Sequence, residues 1–285
     1  VALLLACATC TKKEAKKAPG PVVVLQTDVY GLSGLTRDEH GALWAPGEQA
    51  DAVIRIDPDT FAVTRYEVEG AAEGIDLEAM AWVDGAQFIL GTETQEKGRL
   101  RDAILDGRLA GARFSVASMG NLDYARWQTT APDNHGIEGV CRAGRTLVFA
   151  TELFETKQGR RWAPLATFDP AVQAWTAHRV ALTTETGKLA AMDCRIVDDR
   201  IEALAVERHF GVSRLLRFTI PRGPEQQWIE PVVAADLAEL VSPLPNFEGL
   251  AWMPDGAAVL VTDNRYSGHV DGPSRLFFIP ASVLR

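Results

Sequence analysis

One short phrase recurs along this chain and constrains its fold more than any other feature. It reads Asp76-Leu77-Glu78-Ala79-Met80-Ala81-Trp82, then Gly136-Ile137-Glu138-Gly139-Val140, then Asn246-Phe247-Glu248-Gly249-Leu250-Ala251-Trp252. A Gly-containing polar turn and an apolar run follow each copy, and a second acid ends it. Those acids are Glu93, Glu152 and Asp263, at 15, 14 and 15 residues from the first. Two degenerate copies lack the first acid: Leu32-Ser33-Gly34-Leu35 leading to Glu48, and Leu189-Ala190-Ala191-Met192 leading to Glu207. The five units begin near 32, 76, 136, 190 and 247, a period of 44 to 60 residues. Periods of this size belong to radial or solenoid arrays.

The interior of each unit selects the radial form. Segments such as Gln87-Phe88-Ile89-Leu90, Thr146-Leu147-Val148-Phe149-Ala150 and Ala258-Val259-Leu260-Val261-Thr262 are β-rich and bounded by Gly, Asp and Pro. A third apolar run follows in every unit, and a fourth in the first four, Gln227 to Val233 being the last of these. Four strands per unit predict an all-β fold, a β-propeller of five four-stranded blades. A sixth blade would have to come from a diverged set within 94–134, a short stretch for two sets of strands. The fifth unit ends before a fourth strand, whereas Pro21 to Thr27 is a strand without a unit. Placed outermost in the last blade, it closes the ring and removes an exposed edge.

Residues 21–285 are therefore expected to form a single propeller domain, and residues 1–20 a signal remnant and flexible tether. Leu4-Leu5-Ala6-Cys7 resembles a bacterial lipobox, in which the cysteine is lipidated, and the Lys-rich stretch 11–20 follows as a linker would. The expectation is an exported monomer held in the bacterial envelope by a lipid on Cys7, facing periplasm or exterior. A net charge of −9 argues against a nucleic-acid partner. No 18-residue apolar stretch is present. Cys141 and Cys194 fall in the first strands of adjacent blades. Export permits a disulfide, but such strands are expected to diverge, so two buried free thiols are the preferred reading. His40 and His178 read as ordinary turn and surface-strand residues.

The acids carry the chemical signal. First strands line a propeller's channel, which brings Glu78, Glu138 and Glu248 into one ring, and the ends of the second strands bring Glu48, Glu93, Glu152, Glu207 and Asp263 to one rim. Converging carboxylates repel and need a cation, arginines or shared protons. Arg208 and Arg265 are the expected counter-charges, and a divalent cation, calcium before zinc, suits so many hard oxygens. Two roles compete for these residues, ligand binding and the stapling of one blade to the next by hydrogen bonds.

The succession Leu32-Ser33-Gly34-Leu35, Asp76-Leu77-Glu78, Asn134-His135-Gly136-Ile137-Glu138-Gly139, Ala205-Val206-Glu207-Arg208 and Asn246-Phe247-Glu248-Gly249-Leu250 with Thr262-Asp263-Asn264 resembles the bacterial phytase-like esterase family of β-propellers. The resemblance covers about residues 28–281. It departs from the family pattern at Ala79, where glycine is expected, and at Arg265, where a second asparagine is common. The resemblance implies hydrolysis of a small-molecule ester or phosphoester. On that reading Glu93, Glu152, Glu207 and Asp263 are metal ligands, and His135 or Glu138 is the base. Arg208 stabilises negative charge, with Glu48, Glu78, Glu248 and Asn264 lining the channel. The competing expectation is a non-enzymatic lipoprotein that binds a ligand or scaffolds an envelope protein.

Overall fold

The computed structural model describes residues 22–132, 134–153, 155–157, 159–223, 225–266 and 269–284. Cys7 and the tether lie outside the described residues.

The described residues form five antiparallel blades. Blade 1 is Thr36–Arg37, Leu43–Pro46, Ala52–Ile56 and Val63–Glu69, and blade 2 is Ile75–Asp84, Gln87–Thr94, Arg101–Ala110 and Arg113–Asp123. Blade 3 comprises Ile137–Ala143, Thr146–Thr151, Arg160–Asp169 and Ala174–Ala181, and blade 4 comprises Lys188–Val197, Arg200–His209, Val212–Ile220 and Val232–Asp236. Blade 5 takes Phe247–Trp252, Ala258–Thr262 and Arg275–Ile279 from the end of the chain and Val22–Val24 from its beginning. Val22 pairs with Phe277 and Val24 with Arg275, so the early strand covers the last blade's edge as the sequence predicts.

Each blade's two apolar faces dictate closure, because a sheet with both faces apolar must be covered on both sides. Five hydrophobic clusters fill the five spaces between neighbours. Trp44, Phe88 and Phe114 lie between blades 1 and 2, Phe149 and Trp162 between 2 and 3, and Leu165 and Phe218 between 3 and 4. Leu204 and Phe277 lie between 4 and 5, and Ile54 and Leu276 between 5 and 1. The innermost strands touch in one closed cycle, blade 1 against 2, 3, 4, 5 and back to 1.

That closeness corrects the expectation of free thiols. Cys141 and Cys194 form a disulfide with Cα atoms 5.7 Å apart, because the innermost strands of blades 3 and 4 pack side by side rather than diverge. The bond occupies a repeated tie point. The Trp82 amide donates to Thr36 Oγ1 at 3.0 Å between blades 1 and 2, and the Trp252 amide to Asp193 Oδ2 at 2.6 Å between blades 4 and 5. Thr36, Cys141 and Asp193 share one position in the repeat, and Trp82, Cys194 and Trp252 share the next.

Two further expectations are corrected. The run after Gln227 is divided, Trp228–Ile229 pairing in parallel with blade 3 while Val232–Asp236 completes blade 4. His178 is fully buried in blade 3, where burial lowers its pKa to about 4. It shares a face with Leu165 and Val180 because strand alternation turns it inward.

Candidate functional site

The repeated residue is a β-bulge. The ladder between first and second strands shifts register around Glu78, Glu138, Ala190 and Glu248. A bulge places one extra residue on one strand and re-aims its side chain, so each repeat acid departs from the alternation around it. Blade 1 has the equivalent position at Ser33, next to the Leu32–Gly47 bridge. Small residues follow the bulge because neighbouring backbones approach closely. A Cβ on Gly34 would lie 2.9 Å from the Ala79 Cα, and one on Gly249 would lie 2.6 Å from Gly34.

The same register fixes the rim. Leu77 faces Thr92, Ile137 faces Thr151 and Phe247 faces Thr262, so Glu93, Glu152 and Asp263 come next on the second strand. Glu48 holds this place in blade 1. In blade 4 the residue facing Leu189 is Glu207, and Arg208 faces Lys188. Glu207 therefore stands where blades 2, 3 and 5 carry threonine and blade 1 carries Gly47, and Arg208 stands in the acid's place. A slip of one residue turns a side chain to the other face. Glu207 is fully buried and accepts from the amides and hydroxyls of Thr183 and Thr184. This corrects its assignment to the rim: it is a staple that holds the connection between blades 3 and 4.

Five acids converge, Asp76, Glu78, Glu93, Glu138 and Glu152. Oxygens of Asp76, Glu78 and Glu93 lie within 4.8 Å of one another, and so do those of Glu93, Glu138 and Glu152. Glu93 belongs to both groups. Gly136 permits this, since a Cβ there would lie 2.5 Å from the Glu93 Cβ. Asp76 was not singled out as a ligand from sequence, although it lies in the quoted repeat and pairs directly with Glu93.

Burial governs the electrostatics. Burial and then Glu152 push Glu93 up to about 8, and burial followed by Asp263 and Asp76 pushes Glu48 up to about 7. Glu78 and Glu138 are raised well above the usual carboxylate range, first by burial and then by neighbouring glutamates. Asp76 and Asp263 are raised by burial. Few donors answer these acids. Ser33 Oγ donates to Glu78 at 2.7 Å, Lys188 Nζ lies 2.7 Å from Glu152, and Arg208 pairs with Glu248 through Nε and Nη2.

Other predicted residues are placed around this core. Asn246 Nδ2 donates to both Glu248, at 3.0 Å, and Asp263, at 2.9 Å, and the Arg265 amide donates to Asp263. These bonds set Asp263 and Glu248 beside the two carboxylate groups rather than within them. Asn264 accepts from the Gly31 amide and donates to the Gly272 carbonyl, tying loops together. His135 Nε2 lies 3.4 Å from Lys188 Nζ. Sequence reasoning also missed Lys188, whose signal was its place two residues before the repeat position, where blade 2 has Asp76.

A hard divalent cation fits the two carboxylate groups. Oxygens that share calcium at about 2.4 Å stand up to about 4.8 Å apart, and raised pKa values mark carboxylates short of positive partners.

A closed five-bladed propeller with an acidic mouth at one end of its axis is thus the class of protein defined by fold and site. The chain belongs to the phytase-like family, described as esterase-like activity of phytase, whose model matches residues 27–266. No curated protein matches it. Among solved structures it is similar to the major allergen Mala s 1 of Malassezia sympodialis, at 10% identity and a TM-score of 0.57 over 93% of this chain and 97% of that one. It is also similar to a glucose dehydrogenase, at 12% identity and TM-score 0.55 over 91% and 99% of the two chains. A PQQ-bound aldose sugar dehydrogenase from Streptomyces coelicolor gives 12% identity and TM-score 0.51 over 93% and 99%. At such identities the likeness concerns the fold alone.

Proposed function

We propose that the mouth is a hydrolytic site that holds a divalent cation, calcium first, and cleaves a small carboxylic or phosphate ester. The observation that carries this reading is the sharing of Glu93 between two buried carboxylate groups. Asp76, Glu78, Glu93 and Glu152 would hold the ion. A bound cation supplies charge to polarise the ester and to acidify a water molecule. Glu138, whose pKa is raised first by burial and then by Glu78, is the candidate to give a proton to the leaving oxygen. His135, beside Lys188, is the candidate to take the proton of the attacking water. Arg208, tied to Glu248, adds a fixed positive charge at the mouth.

The family description supports the ester as substrate. The Cys141–Cys194 bond supports an exported protein, and an anchor on Cys7 is part of the same proposal. Turnover of para-nitrophenyl acetate and para-nitrophenyl phosphate, with calcium and with chelator, tests the reading. Calcium-dependent turnover that Glu93→Gln abolishes is expected, and the absence of turnover on both esters would overturn it.

A second reading, a binding or scaffolding lipoprotein without catalysis, is favoured by the ties that consume charge across blades. Glu152–Lys188 and Glu248–Arg208 each link neighbouring blades.

A further inference from the structure

Blade 4 is the charge inverse of blade 2. Asp76 and Glu93 face each other across the inner ladder of blade 2, and at the equivalent places of blade 4 Lys188 faces Arg208. The mouth is therefore polarised, with Asp76, Glu78 and Glu93 on one side and two cations on the other.

These cations differ from a buried staple. Glu207 has no exposure and its oxygens are filled by backbone and hydroxyl donors. The Lys188 and Arg208 side chains keep 16% and 22% of their surface. An ammonium carries three donors and a guanidinium five, more than the carboxylates of Glu152 and Glu248 take up. The second and third strands of blade 4, Arg200–His209 and Val212–Ile220, are joined by two residues, the shortest such connection of the five blades. Phe210 at its tip is 80% exposed.

We propose that Lys188 and Arg208, facing each other on blade 4, form an anion-binding subsite that takes the carboxylate or phosphate group of a small ligand. Lys188 lies 2.7 Å from Glu152, which belongs to the carboxylate group shared with Glu93. An oxyanion bound here would lie beside the cation of the proposed function, and one ligand could meet both. Only that second contact rests on the hydrolase reading, because the anion contact needs no metal.

The test is a calorimetric titration with inorganic phosphate, and separately with acetate, in chelator at pH 6.5 and constant ionic strength. Omitting the cation and measuring binding rather than turnover separates this subsite from the hydrolase reading. Saturable binding of at least one anion is expected. Lys188→Gln should weaken it about tenfold, the loss of one charge-assisted hydrogen bond, whereas Lys188→Arg should retain it. No saturable binding of either anion, binding unchanged in Lys188→Gln, or equal loss in Lys188→Gln and Lys188→Arg would overturn the proposal.

Discussion

Arg208 holds both carboxylate oxygens of Glu248 across the boundary between blades 4 and 5. Glu248 is the bulged residue of its blade, and Arg208 occupies the rim place that belongs to an acid in the other four. The pair joins the two rings of the repeat and removes one negative charge from the mouth.

Removing Arg208 should therefore destabilise the protein. Arg208→Met leaves a buried carboxylate without its cation. The cost should be about 2 kcal/mol, below the roughly 3–5 kcal/mol of a fully buried pair because the arginine is partly solvated. Urea unfolding should show this loss, and adding Glu248→Gln should recover most of it. An additive double mutant would mean that the pair is not coupled.

Opening the disulfide should lower stability by about 2–4 kcal/mol while the propeller persists. The ties from Thr36 to Trp82 and from Asp193 to Trp252 hold other blade boundaries without sulfur. Urea unfolding of Cys141→Ser/Cys194→Ser against the oxidised protein measures the effect, with β-sheet circular dichroism as the check on the fold.

In chelator, stability should fall as pH rises from 6.5 to 8. Glu48 and Glu93 have folded-state pKa values of about 7 and about 8 against an ordinary 4.5. The folded protein thus holds protons that the unfolded chain has released, and folding loses free energy as pH climbs through this window. His178 acts in the opposite direction only between about 6.5 and 4, so the upper window isolates the carboxylates. Unfolding midpoints in urea at four pH values should decline steadily, and Glu93→Gln should flatten the decline.

Much of this arrangement was legible in the residues. The spacing of Glu78, Glu138 and Glu248 marked the blades, and the unmatched strand before the first unit marked the closure. The fold is a repeat, so local patterns report global position. Blade 4 was misplaced by one residue because its first hairpin is longer and its bulge carries Ala190, leaving no acid to anchor the frame. Glu207 and Arg208 then exchanged roles, a difference of one residue that reverses the facing of both. The sequence favours free thiols over the disulfide because nothing in it reports the inter-blade stagger that brings Cys141 to Cys194 from adjacent repeat positions. His178 was misread because a polar residue inside an apolar strand face gives no sign of burial in sequence.

Calorimetric melting with calcium and with chelator reads whether the carboxylates around Glu93 bind a divalent cation. A ligand of the folded state alone stabilises it by about 2.7 kcal/mol at one hundred times its dissociation constant. Calcium should therefore raise the melting temperature of the unmutated protein, and Glu93→Gln should abolish most of that rise. Glu207→Gln should lower the melting temperature through its weakened hydrogen bonds and leave the calcium response intact. A melting temperature that calcium leaves unchanged in the unmutated protein would contradict the account.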